Sequence, residues 1–180
     1  MSSRNLTVNQ ITTNNLSTNN LSANNATITG TLLANGNGKA SYYATTTQSI
    51  GPSTNTVVLF PGINFNTFGS NLTYSSGTFT NGSGSTLYIQ INYNFRLNGA
   101  AGSGWAGNGW IYVNGTGPFY GQVYTPNTFD NQSGISGSAI IALTAGSYFQ
   151  ILAYQTYTGA ISISNNATYL ASGVQIYQLI

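Results

Sequence analysis

Alternation of apolar and polar side chains is cleanest between Gly77 and Arg96, in GTFTNGSGSTLYIQINYNFR. A turn rich in Gly, Ser and Asn leads into a strand with two distinct faces. Leu87, Ile89, Ile91, Tyr93 and Phe95 leave one side and Tyr88, Gln90, Asn92, Asn94 and Arg96 the other, because successive side chains of a pleat point in opposite directions. The first set is a core face. The second carries Tyr, Gln and Asn where a water-facing strand would carry Lys, Glu and Thr, a composition suited to contact with another protein copy.

From Ser41 onward, short runs of β-branched and aromatic residues alternate with Gly, Pro, Asn and Ser at spacings of about eight to twelve, the pattern of an antiparallel sandwich or barrel. It predicts strands over 42–48, 56–60, 71–74, 77–80, 86–96, 110–114, 119–124, 138–143, 147–155, 160–164 and 172–180. Pro52, Pro61, Pro118 and Pro126 fall between these runs, where a missing N–H removes no ladder bond. No segment longer than a turn has helical periodicity, so residues 39–180 read as an all-β head.

Residues 1–38 differ. Leu6, Ile11, Leu16 and Leu21 recur every five residues within the near-repeats NNLST, NNLSA and NNATI. A period of five would smear apolar groups around a helix, and the intervening Asn, Ser and Thr are weak helix formers. Three readings stand: a repetitive β-like stalk in which three chains bury a thin axial core, a disordered polar arm, or an arm that orders on a partner. Leu32 and Leu33 would anchor this segment to the head, before the turn NGNG.

Composition sharpens the picture. Arg4, Lys39, Arg96 and Asp130 are the only charged residues, 2% of the chain, where a soluble domain has about 25%. The net charge of +2 is spread over isolated positions and makes no basic patch, so no nucleic-acid partner is expected. Neutral groups must carry solubility, and nothing on such a surface repels a second copy. Cys, His and Glu are absent. That inventory cannot build a Ser-His-Asp triad, a carboxylate pair or an ordinary zinc site, so neither enzymatic chemistry nor a cofactor is expected. The start, MSSRNLTVNQ, lacks the apolar run of a secretion signal, and no window is long and apolar enough to predict a membrane span.

Taken in order, GTFTNGSGSTLYIQINYNF, GWIYVNG, SGSAIIALTAGSYFQILAYQ and ATYLASGVQIYQLI resemble the jelly-roll head shared by tumour necrosis factors and complement globular heads. The resemblance covers residues 42–180. Leu143, Ala145 and Gly146 occupy the family's turn before its long aromatic strand, here Tyr148 to Tyr154, and Ser147 stands where the family commonly has an acidic residue. The resemblance implies ten strands in two sheets and three copies around an axis. Such heads also occur on viral and phage fibres, minor capsid proteins and spore-surface filaments.

In that frame the later strands repeat the division seen first. Phe149, Ile151 and Ala153 oppose Tyr148, Gln150, Leu152 and Tyr154, and Val174 and Ile176 oppose Gln175 and Tyr177. If all three strands lie in the inner sheet, Tyr88, Gln90, Tyr148, Gln150, Tyr154, Gln175 and Tyr177 line a threefold interface, where a Tyr ring buries area while its hydroxyl keeps a hydrogen bond.

Other motifs carry less. Asn-Xaa-Ser/Thr occurs at Asn5, Asn15, Asn20, Asn25, Asn71, Asn81, Asn114, Asn131 and Asn166, as a chain this rich in Asn, Ser and Thr produces by composition alone. Trp105, in the Gly-rich loop GAAGSGWAGNGW, is the candidate receptor contact, with a host surface glycan as its partner; Trp110 is expected to open a strand and pack in the core. Asp130 lacks the further carboxylates of a calcium site, so a cap or Asx-turn is expected. Arg96 is expected as an edge charge, and Lys39 and Arg4 as solvated. The expectation is a trimeric virion protein, a minor capsid, spike or fibre head at the virion surface, contacting other capsid or filament proteins through residues 1–38. The alternatives are a cellular or spore surface-filament subunit and a carbohydrate-binding recognition head.

Overall fold

The structure is a computed structural model and describes residues 38–99, 106–115, 119–126, 132–164 and 172–179. These form thirteen strands: β1 (Lys39–Tyr43), β2 (Gln48–Ile50), β3 (Thr56–Val57), β4 (Gly62–Asn66), β5 (Leu72–Ser75), β6 (Thr78–Asn81), β7 (Leu87–Asn98), β8 (Ala106–Val113), β9 (Phe119–Pro126), β10 (Gln132–Leu143), β11 (Tyr148–Gln155), β12 (Ile161–Ile163) and β13 (Gly173–Gln178). A single 3-10 turn, Gly69–Asn71, precedes β5.

Every pairing is antiparallel, and the strands form two sheets. The first has the order β2-β12-β7-β13-β1-β4, with β10 also on β7; the second has the order β5-β6-β11-β8-β9, with β3 also on β11. The long strand β7 organises the first sheet. Along one edge β10 pairs with it from end to end, Leu143 opposite Leu87 and Gln132 opposite Asn98. Its other edge is shared by β13, which pairs with 89–94, and β12, which pairs with Leu97 and Asn98.

The alternation read in the sequence builds the core between the sheets. Leu87, Ile89, Ile91, Tyr93, Phe95 and Leu97 of β7 are buried against Phe149, Ile151 and Ala153 of β11, Ile111 of β8, and Val174 and Ile176 of β13. Each such side chain contributes about 1.5–3 kcal/mol through the surface it removes from water. At one end Phe79 stacks on Phe149 at 4.8 Å and meets Tyr42 edge-on at 5.2 Å, with Tyr74 at 4.7 Å. The Tyr42 and Tyr74 hydroxyls stay bonded inside this cluster, Tyr42 accepting from Asn66 Nδ2 and Tyr74 from the Phe60 N–H. Burial raises the pKa of both phenols.

The two sheets approach closely where β9 passes β10. Gly121 has φ +56°, and a Cβ on Gly137 would lie 2.5 Å from both the Gly121 carbonyl oxygen and the Tyr93 hydroxyl. Only glycine allows that approach.

Some strands differ from the sequence pattern. The thirteen described strands exceed the eleven read from pattern and the ten implied by the resemblance. The predicted strand 42–48 is split, β1 ending at Tyr43 and β2 starting at Gln48. Strand β4 was not predicted, because GINFN follows Pro61 and holds two Asn; it pairs with β1 through a bulge at Ser41 and Tyr42. Strand β10 begins at Gln132, six residues before the predicted start; the glycines of QSGISG weaken the strand pattern there, yet Gly137 serves the close approach.

Candidate assembly surface

The side chains that β7 turns away from the core form the centre of a continuous face on the first sheet. Register fixes its rows. Ile140 of β10, Gln90 of β7, Tyr177 of β13 and Lys39 of β1 lie side by side. In the next row are Ser138, Asn92, Gln175, Ser41 and Phe65. Tyr88 lies opposite Ala142, and the Leu179 N–H donates to the Tyr88 carbonyl.

Neutral hydrogen bonds knit this face together. Ser138 Oγ donates to Asn92 Oδ1 at 2.7 Å, Gln90 Nε2 reaches the same oxygen at 3.4 Å, and the Tyr177 hydroxyl donates to Gln175 Oε1 at 3.0 Å. Asn64 Nδ2 donates to Ser41 Oγ at 3.1 Å. Polar groups already bonded to one another lose less when water is removed than groups bonded only to water. The same face exposes large apolar surface: Ile140 is 64% exposed, Tyr88 46%, Phe65 45% and Leu179 37%. Lys39 and Arg96 are its formal charges among the described residues.

The predicted interface residues therefore separate into two groups. Tyr88, Gln90, Gln175 and Tyr177 share the outer face of the first sheet. Tyr148, Gln150 and Tyr154 do not, because β11 belongs to the second sheet and turns them outward on the opposite side of the sandwich. Alternation along a strand shows that it has two faces and carries no information on which sheet holds it. Ile140, Phe65 and Leu179, exposed on the same outer face, were not among the predicted residues. The adjacent pair Ile140 and Ile141 held the signal for one of them, since neighbouring residues of a strand cannot both face the core.

Strand β11 has both faces filled, as its sequence implied. Leu152 and Trp110 lie opposite each other on the outer side of the second sheet, 5% and 6% exposed. Trp110 thus sits inside β8 and away from the inter-sheet core, with its ring 6.3 Å from that of Tyr154. Trp105, Asp130 and residues 1–37 lie outside the described residues, as do all the Asn-Xaa-Ser/Thr sites except Asn71, Asn81 and Asn114.

Asn81 is fully buried and cannot carry a glycan. Its amide donates to the Ser85 and Leu143 carbonyls at 2.9 and 2.7 Å, and its Oδ1 accepts from the Ser83 N–H and hydroxyl. Asn114, at φ +53°, bonds Ser147 Oγ and the Tyr148 N–H and ties the β8–β9 turn to the start of β11. Among the described residues no three of His, Cys, Asp and Glu gather as a metal site, and no helix is long and apolar enough to cross a membrane.

No family model matches the sequence, and no curated protein matches it. Solved structures do. The crystal structure of murine APRIL at pH 5.0 aligns with a TM-score of 0.57 at 10% identity, covering 79% of this chain and 99% of that one. The structure of Eiger TNF from S. frugiperda is similar at 10% identity, covering 80% of this chain and 93% of that one, with a TM-score of 0.56. At that identity the likeness is one of fold, and the fold it shows is the two-sheet jelly roll of tumour-necrosis-factor-like heads.

Proposed function

We propose that the chain is a non-enzymatic structural protein that acts as a homotrimer, joined through the outer face of the first sheet, and that it is a virion component of the minor capsid, spike or fibre kind. The observation that carries the trimer is the concentration on that one face of Tyr88, Ile140, Phe65 and Leu179 around side chains already hydrogen-bonded to each other. Exposed apolar patches of this sort mark protein contacts, and a closed threefold ring buries the same patch on every copy.

The particle setting rests on composition. A chain with 2% charged residues suits dense packing, where neighbours replace water around Asn and Gln. Residues 1–38 serve as stalk or arm and contact other particle proteins, while the loops of three heads face outward. Three weak sites on one rigid unit gain by avidity what one neutral surface lacks. The same low charge supports a second reading, a surface-filament subunit that polymerises through residues 1–38; deleting them would abolish fibres and leave trimers.

Sedimentation velocity of the full chain at micromolar concentration tests the central claim. A trimer is expected, and a monodisperse monomer would overturn it.

A further inference from the structure

The chain holds almost nothing that titrates in acid. Domains denature at low pH because carboxylates bonded in the native state take up protons, buried neutral His must charge, and the positive charges left behind repel one another. This chain has one Asp, no Glu and no His. Apart from chain termini, Asp130 is the only group that changes between about pH 9 and pH 2, since Tyr, Lys and Arg titrate above that range. Its protonation takes the formal charge from +2 to +3. Acid therefore finds at most one pairing to break, no cluster of positive charge to expose, and no imidazole to act as a trigger.

The placing of the basic residues has a matching consequence for proteolysis. Chains are nicked at exposed loop tips, where a protease can draw several residues into its cleft as an extended strand. Trypsin-type enzymes cut after Lys or Arg, and the chain has only Arg4, Lys39 and Arg96. Within the head both bonds that could be cut lie inside paired strands. Lys39 is in β1, held by β13 on one side and β4 on the other. Its carbonyl, the group to be attacked, accepts from the Thr67 N–H at 2.8 Å and from Thr67 Oγ1 at 3.1 Å. Arg96 lies in β7 opposite Gly134 of β10, and its carbonyl accepts from the Ser164 N–H at 2.9 Å. The residues that follow, Ala40 and Leu97, belong to the core. Neither bond can enter a cleft unless the first sheet opens.

We infer that the head is built to pass intact through acidic media and through media that hold trypsin-type proteases, and that it keeps its contacts without a pH trigger. Its loops carry no Lys or Arg to be cut, and the two basic residues of the head are locked into ladders. This goes beyond the proposed function and holds for a monomer and a trimer alike.

Melting, sedimentation and limited proteolysis of the full chain test the inference. The melting temperature at about pH 2 is expected within about 10 °C of that at about pH 8, the most that one carboxylate supplies, with the sedimentation coefficient unchanged. Unfolding in acid, a larger shift, or a change of oligomeric state between the two pH values would overturn it. Under native conditions trypsin is expected to remove no more than residues 1–4, and cuts after Lys39 or Arg96, read by mass spectrometry, would equally overturn it. Asn55→Lys sets a basic residue in the exposed turn between β2 and β3. That variant should melt like wild type and be cut after position 55 at least about tenfold faster than wild type is cut anywhere in the head. If it resists as wild type does, rigidity of the whole head protects it, the placing of Lys39 and Arg96 does not, and the inference falls. A monomer that survives both challenges would remove the trimer reading and leave this inference standing.

Discussion

The hydroxyl of Tyr93 donates a 2.7 Å hydrogen bond to the carbonyl of Gly121, joining β7 of the first sheet to β9 of the second where β9 passes close to β10. Burial raises this phenol's pKa far above its ordinary value. Tyr93→Phe leaves the part-buried Gly121 carbonyl without this donor and should cost about 1–2 kcal/mol. Gly137→Ala forces a methyl group against the same two oxygens, where a Cβ would lie at 2.5 Å, and should cost about 1–3 kcal/mol. Urea denaturation with an unchanged m-value checks both.

Asn81→Asp should be more damaging than Asn81→Ala. The alanine variant removes the amide donor to the Leu143 carbonyl, leaves the Ser85 carbonyl with the Ser83 hydroxyl, and should cost about 2–4 kcal/mol. The aspartate keeps the shape, removes both N–H donors and sets a carboxylate against two carbonyl oxygens in a buried site. Its deficit should shrink at low pH, where the carboxyl is protonated and can donate once. Melting temperatures of the two variants at about pH 4 and pH 7 give the comparison.

Ile140→Lys addresses the proposed seam. Because Ile140 is 64% exposed in the protomer, its replacement should change protomer stability by no more than about 0.5 kcal/mol. Three lysines brought into one seam would repel and lose water, so the variant should sediment as a monomer. A variant that remains trimeric would place the seam elsewhere.

Alkaline pH should unfold the domain by a defined route. Tyr42, Tyr74 and Tyr93 all have pKa values raised by burial above the ordinary 10.0. A raised value means that the folded state holds protons which the unfolded state releases. Stability is therefore fully present below about pH 10 and falls as pH rises through the native values. Urea midpoints should be flat from about pH 8 to 9.5 and then decline. In Tyr93→Phe the decline should be shallower, because one of the three groups no longer titrates.

The core was legible in the sequence and the placing of β11 was not, and the difference is physical. Leu87 to Leu97 alternate without interruption, and period two fixes their burial wherever the strand lies. For β11 the same rule divides Phe149 from Gln150, yet the outer side of either sheet could receive the Tyr and Gln row. Only the ladder to β8 and β6 decides, and that ladder joins residues far apart in the chain. Strand β4 stayed hidden because GINFN follows Pro61 and half of its side chains are Asn, so its short alternation of Ile63 and Phe65 with Asn64 and Asn66 resembles a loop. Gly137 fell outside the predicted strand 138–143, since a sequence does not distinguish a glycine that bends the chain from one that lets another strand come near.

The order in which the first sheet can form has a kinetic consequence. Gly38, just before β1, bonds the side chain of Gln178, 140 residues away, and β13 lies between β1 and β7 along its whole length. Contacts of such separation form slowly, because a long loop must close before any bond rewards it. Until β13 inserts, β1 and β7 present open edges, and the rows that hold Gln175 and Tyr177 do not exist. The proposed seam is thus among the last parts of the domain to appear during synthesis, and an incompletely folded head has nothing complete to offer a partner. Insertion of one strand would then act as the checkpoint between folding and assembly.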